Sequence, residues 1–398
     1  MPFPIEFILF GATLVGIAFF HRHTLAIGLG GLAFVVAYKL AFTGFASGPG
    51  IAGLGQHMQH EWVLLANLFL LLMGFALLSG HFEKSHVPDK IPAFLPHDWK
   101  GGFALLALVF VLSGFLDNIA AAMIGGTIAR HVFQKLHIGF LAALVAAANA
   151  GGAGSVVGDT TTTMMWIAGV SPLEVVDAYV AAAVALVIFG VPASFQQDRF
   201  SPITKNASHG VTIDWTRVAI VSLILAAAIL ANVVATLEFP ALLDLIPVIG
   251  LAVWIVLLVT APVRKPDWDV LPETFKGTVF LLALVTIASM MPVEKLPAAS
   301  WQTAFGIGLV SSVFDNIPLT ALALKQGGYD WGILAYAVGF GGSMMWFGSS
   351  AGIALANIYP EAKSVNQWLR HGWHVPLAYV VGFFVMLGIL GWHPDATP

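Results

Sequence analysis

Three aspartates are the residues best placed to do chemistry. Asp117 and Asp315 open the same tripeptide, Asp-Asn-Ile, in "FLDNIAAAMIGG" and "VFDNIPLTALAL", and Asp159 follows the glycine run of "GGAGSVVGDTTTT". All three stand in stretches otherwise as apolar as a bilayer. An ionised group there costs at least ~2.5 kcal/mol and ordinarily faces a bundle interior or an aqueous path. Oxygen donors surround them: the amides of Asn118 and Asn316, the hydroxyls of Thr160, Thr161, Thr162 and Thr163, and those of Ser349 and Ser350 in "GGSMMWFGSS". Such groups, with carbonyls freed where a helix is interrupted, suit a small hard cation such as Na+. At about 100° per residue Thr160 and Thr163 point roughly together, toward the site. Thr161 and Thr162 are then better placed to satisfy freed carbonyls or neighbouring helices. Asp159 has a second role open to it, as an N-cap at the start of a half-helix.

No lysine or arginine falls at the depth of these carboxylates, so a cation or protons fit the site better than citrate or a dicarboxylate. Sodium binding would displace a proton and protonation would expel sodium. If the protein changes access only when one or the other is bound, the result is antiport. An ion channel is the rival of a different class; it too uses helix breaks and carboxylates.

The elements that must hold these residues are transmembrane helices. The chain has 398 residues, 58% of them hydrophobic and 10% charged, with a mean hydropathy of +0.88, where a soluble domain carries about 25% charge. A spanning helix needs about 20 mostly apolar residues. Continuous spans are expected at roughly 4–20, 24–42, 61–80, 172–192, 216–236, 241–260, 271–290 and 373–391. Residues 101–116 with 119–130, and 301–314 with 317–325, flank the two Asp-Asn pairs and suggest re-entrant hairpins, since irregular backbone at membrane depth requires surrounding protein or a wet cavity. Segments 137–168 and 332–358 are long enough to cross but are interrupted by "GGAGSVVGD" and "GGSMMWFGSS", and are expected to be broken helices. The first apolar run lacks a basic n-region and a small-residue cleavage pattern, which points to a retained helix.

The pieces recur in order. Gly151 matches Gly341, Gly158 matches Gly348, Asp159 matches Ser349 and Thr160 matches Ser350, each pair 190 residues apart (341 minus 151). Five crossings in each half give the halves opposite topology, the inverted repeat of secondary transporters. The expected fold is therefore an all-α polytopic membrane protein, a single transporter domain over 1–398, with inverted repeats at about 1–192 and 216–391 carrying two re-entrant hairpins and two broken transmembrane helices. Of the 17 basic residues, 14 fall on one side, including Arg22, Lys84, Lys100, Arg130, Lys205 and Arg370. That side is expected to be cytoplasmic, with both termini outside. Lys295 and Lys325 fall on the other side, and Lys39 near it.

The stretches "SGFLDNIAAAMIGG", "ANAGGAGSVVGDTTTTMMWIAGVSP", "SSVFDNIPLTALAL" and "GGSMMWFGSSAGIALA" together resemble the NhaD-type sodium/proton antiporters of the ion-transporter superfamily, over much of residues 61–391. The resemblance implies a scaffold or dimerisation region, hence a homodimer, and a mobile transport region holding the hairpins and broken helices. It places Asp117, Asn118, Asp159, Thr160, Asp315, Asn316, Ser343, Ser349 and Ser350 in the ion path. It implies transported Na+ (with Li+ as an alternative) and H+ with no cofactor, no enzymatic activity, and a bacterial inner membrane. The same superfamily holds citrate, dicarboxylate and arsenite carriers, so fold alone names no substrate.

Other classes are excluded or weak. There is no cysteine, hence no disulfide, thiolate metal site or thiol catalysis. A net charge of -4 with no basic block offers nucleic acid no track, and no soluble protein partner is implied beyond the lipid bilayer. No nucleotide loop or hydrolase nucleophile motif is present. Nine of 13 histidines fall in or beside cytoplasmic loops, among them His21, His81, His137, His209 and His371. They are read as interfacial polarity, with pH sensing the alternative. His57, His60 and Glu61 form at most a weak metal-binding group.

Overall fold

A computed structural model describes residues 4–20, 23–90, 94–204, 212–243 and 245–395. Arg22, Lys205, His21 and His209 lie outside them. The described chain is helical, with no β-strand beyond two isolated bridges. In chain order the principal helices are α1 (Ile5–Phe19), α2 (Thr24–Tyr38), α3 (Gly50–Glu83), α4 (Trp99–Ser113), α5 (Asn118–Val132), α6 (Ile138–Ala153), α7 (Thr160–Ile167) and α8 (Ala178–Phe200). They continue with α9 (Trp215–Glu238), α10 (Val248–Thr260), α11 (Leu271–Ser289), α12 (Trp301–Ser311), α13 (Asn316–Gln326), α14 (Trp331–Gly341), α15 (Ser350–Ile358), α16 (Val365–His371) and α17 (His374–Leu390).

Five helical stretches are long and apolar enough to cross a bilayer, and α16 with α17, bent by 59° at Gly372, would make a sixth. This is an all-α membrane protein. The expected boundaries shift, and the span at 172–192 runs on to Phe200. The span at 61–80 starts eleven residues early, at Gly50, giving a helix of 34 residues. The span at 241–260 shortens to the 13 residues of α10, because Pro247 stands at its start and the residue before a proline is pushed out of helical geometry. The first is 15 residues.

Helix starts explain much of the polar sequence. The first N–H groups of a helix have no partner within it, and a bilayer offers no water to replace one. Side chains therefore cap them: Asp98 for α4, Asp117 for α5, Asp159 for α7, Asp330 for α14, Ser349 for α15, and a reciprocal Ser300–Thr303 box for α12.

The chain divides into two compact units. The first comprises Met1–Leu78, Ala219–Pro297 and Ile317–Gln326. In it α2 packs on α1 and α11, and the buried Asn67 accepts from Gly250 N at 3.0 Å, satisfying a first-turn N–H of α10. Lys39 and Lys325, which loop charges put near the outer side, are withdrawn into this unit. Lys39 is 7% exposed, and the Lys325 ammonium donates to Ser289 O and, at 2.6 Å, to Met291 O.

The second unit comprises Ser79–Val218, Ala298–Asn316 and Gly327–Pro398. Its centre is two helices apolar all round save for Asn149 and Tyr336: α6, buried from Gly139 to Ala153, and α14, buried throughout. A helix with no polar face belongs inside a bundle, and the Ala/Gly content of α6 lets neighbours approach closely. Helices α4, α5 and α8 pack on α6, α12 packs on α14, and α17 packs on α8. Behind α14 the rings of Tyr336, Phe340 and Tyr379 stack within 9° of parallel. Their hydroxyls are fastened: Tyr336 donates to Ala378 O at 3.0 Å and Tyr379 to Phe305 O at 2.7 Å. His81 is not loop polarity: it is fully buried here, with Arg217 donating to its Nδ1 at 3.0 Å.

Candidate functional site

Both buried helices end in a break. After α6 the chain runs irregularly through Gly154–Gly158 before Asp159 starts α7. After α14 a short turn, Gly342–Met344, leads to Ser349, which starts α15. The tip between α4 and α5 carries Asp117, and Asp315 precedes α13.

Four buried polar residues tie these interruptions together. Asn149, on α6, donates from one amide nitrogen to Ser343 Oγ and Ser349 Oγ, both at 3.0 Å. Its oxygen accepts from Asn118 Nδ2 at 3.1 Å. Asn149, Ser343 and Ser349 are wholly buried, and Asn118 is 5% exposed. The Asn118 nitrogen is committed to Asn149, and its amide oxygen is the acceptor end of the same side chain. Ser350 donates to Asp315 Oδ2 at 3.0 Å.

Asp159 divides its two oxygens. Oδ1 accepts from Thr161 N at 3.1 Å, the capping bond. Oδ2 is buried and has no hydrogen-bond partner among the described residues. The carboxylates of Asp117 and Asp315 are the charged groups that act on it electrostatically. Asp117 also caps, its Oδ2 accepting from Ile119 N at 3.3 Å. A carboxylate oxygen stripped of water and left unpaired is costly, and a proton or a small cation relieves that cost.

The threonines arrange themselves differently from expectation. Thr162 donates to Ser155 O and Asp159 O, and Thr163 to Val156 O and Asp159 O, at 2.6–2.9 Å. Thr163 thus joins Thr162 in satisfying carbonyls freed by the break. Thr160 is 8% exposed and Asn316, at the start of α13, is 3% exposed. All ten residues singled out from the sequence fall in the second unit. Sequence reasoning missed Asn149. The available signal was one amide inside "IGFLAALVAAANAGGA", a helix otherwise without a polar side chain. Outside this site, His57 is engaged with Ser289 Oγ at 3.0 Å, and no group of three metal-ligating side chains occurs among the described residues.

No family model matches the chain. It is 26% identical to sodium/proton antiporter 1 of Arabidopsis thaliana across 87% of its own length and 66% of that protein's. It is 25% identical to sodium/proton antiporter 2 of the same plant, across 78% and 81% of the two chains. It is also 25% identical to the Na+/H+ antiporter NhaD of Vibrio cholerae, across 83% and 80%. The chain spans just under two thirds of the first relative and about four fifths of the other two. Further NhaD proteins, from Vibrio parahaemolyticus and Alkalimonas amylolytica, match at 25% and 23%. Several relatives of one description thus align along most of the chain, and each is named as a sodium/proton antiporter, a membrane transporter and not an enzyme.

Proposed function

We propose that the chain exchanges Na+ (or Li+) for H+ by alternating access, with Asp159 as the group at which the two compete. The observation that carries this reading is the divided carboxylate. Oδ1 holds α7 in place while Oδ2 stays buried and unpartnered, so the site gains or loses a cation without dismantling the helix start. Asn118, Thr160, Asp117, Asp315, Asn316 and the serines at 343, 349 and 350 supply the neighbouring oxygens. When Na+ arrives, the proton on Asp159 leaves to water; when a proton returns, Na+ loses its strongest ligand.

The breaks and tips act in this reading as broken transmembrane helices and re-entrant hairpins of an inverted repeat, about 1–192 and 216–391. Matched local geometry supports it. Ser113 donates to Ala148 O and Ser311 to Val338 O. A Cβ on Gly151 would strike Phe110 O, and one on Gly341 would strike Gly308 O. A Cβ on Gly152 would lie 2.7 Å from Gly158 O, and one on Gly342 the same 2.7 Å from Gly348 O. Loop charge supports termini on the outer side of a bacterial inner membrane, and the scaffold role of the family supports a homodimer.

Asp159→Asn tests the reading, because asparagine caps as well as aspartate but cannot titrate. In proteoliposomes under an imposed pH gradient, Na+-driven proton movement should vanish while thermal stability holds. Unchanged exchange would remove Asp159 from the mechanism. Citrate uptake in the same vesicles would favour the anion carrier, and a current linear in voltage the channel.

A further inference from the structure

We propose that Gly339 is a specificity-determining residue, the position that keeps Asp159 Oδ2 open to cargo; this rests on the exchange reading above. Gly339 lies on the fully buried helix α14. A Cβ built there would stand 3.1 Å from Asp159 Oδ2, its nearest neighbour, and 3.4 Å from Ala153 Cβ. Even a methyl would therefore crowd the unpartnered oxygen, and only glycine lets α14 pass this close to it.

The repeat gives that space its meaning. Positions 149 and 339 are separated by the same 190 residues that separate Asp159 from Ser349. At the second break, Asn149 donates to Ser349, whose hydroxyl also accepts from Gly352 N. At the first break the equivalent helix offers glycine to Asp159, and the oxygen goes unfilled. One break is bonded by an amide and the other meets a glycine that offers no donor, so the chain carries one exchanging position at its breaks and not two. The close approach of α14 to Asp159 and Ala153 makes residue 339 a gauge of what fits against Oδ2.

Gly339→Ala puts a methyl on that oxygen, and Gly339→Asn supplies it with amide donors as Asn149 does for Ser349. Gly306→Ala, on α12, where a Cβ would meet nothing within 4 Å, is the control. Two readouts are taken on purified protein: initial rates of Na+- and Li+-driven exchange in proteoliposomes, and carbodiimide labelling of Asp159, read by peptide mass spectrometry with and without Na+. The expected result for Gly339→Ala is an apparent KM for Na+ raised about tenfold, a smaller rise for Li+, and kcat within about twofold. For Gly339→Asn, exchange and Asp159 labelling should both be lost. Gly306→Ala should match the parent in both. A Gly339→Ala protein with parental KM values for both ions and parental labelling overturns the proposal, whether or not Gly339→Asn folds. If the parent itself moves no protons with Na+, the exchange reading fails, and the labelling arm still decides whether Gly339 controls access to Asp159.

Discussion

Asn149→Ala removes the residue that joins three of the four interruptions, and the structure sets the size of the effect. Three buried hydrogen bonds are lost, to Asn118, Ser343 and Ser349. Ser349 keeps its bond from Gly352 N at 3.2 Å, so its hydroxyl is not abandoned. The Asn118 amide nitrogen loses the acceptor to which it is committed. A neutral buried bond is worth about 1 kcal/mol net, and an orphaned buried donor costs about 1–3 kcal/mol. Two such bonds and one orphaned donor make the expected loss about 3–5 kcal/mol, before any term for the cavity. Denaturation in mixed micelles, followed by tryptophan fluorescence, measures this. Asn149→Asp discriminates further, because its carboxylate still accepts from Asn118 and the two serine hydroxyls can turn to donate. It should recover part of the loss at low pH and little at high pH, where a fourth charge is buried. An Asn149→Ala protein within about 0.5 kcal/mol of the parent would show that the four-residue chain does not hold the breaks together.

Two further outcomes follow from local geometry. Tyr359, outside the membrane segments, donates to Gly126 O at 2.7 Å. Burial pushes its phenol above the usual value of 10.0, with Glu361 adding to the rise and Arg130 opposing it. The folded state thus holds this proton more tightly than the unfolded chain, and the contribution is complete below pH 10 and fades as pH climbs through the folded value. Tyr359→Phe should lose about 1 kcal/mol at pH 8 and show a shallower decline of melting temperature above pH 10; an unchanged alkaline slope would refute the assignment. Ser113→Ala and Ser311→Ala should destabilise by similar amounts, about 1 kcal/mol each, since both hydroxyls hold the same kind of carbonyl on a buried helix. A difference above about 2 kcal/mol would count against equivalence of the halves.

The helical class, the breaks after Ala153 and Gly341, and the polar tips were legible because each is a local contrast: glycine and carboxylate against apolar flanks. What stayed hidden was long-range compensation. Helix α3 runs back to Gly50 through His57, whose partner Ser289 is 232 residues away, and it carries Asn67, satisfied by Gly250 183 residues on. A hydropathy window sees only the polar side chains. The withdrawal of Lys325 was hidden for the same reason, because the carbonyls of Ser289 and Met291 that hold it are distant in sequence. Asn149 was passed over beside four threonines and a run of glycines, although a lone amide in an apolar helix is the stronger signal. The rotational argument for Thr160 and Thr163 treated α7 as an isolated helix. The break behind it presents carbonyls that Thr163 reaches first.

The stacked rings of Tyr336, Phe340 and Tyr379, fastened at Ala378 and Phe305, deprive the second break of slack. Parallel aromatic plates with anchored hydroxyls resist shear, so α12, α14 and α17 respond to a load as one beam. A displacement of α14 is then passed to its two neighbours and not absorbed where it arises. A leucine in place of Tyr379 would let that motion die out at the place where it began.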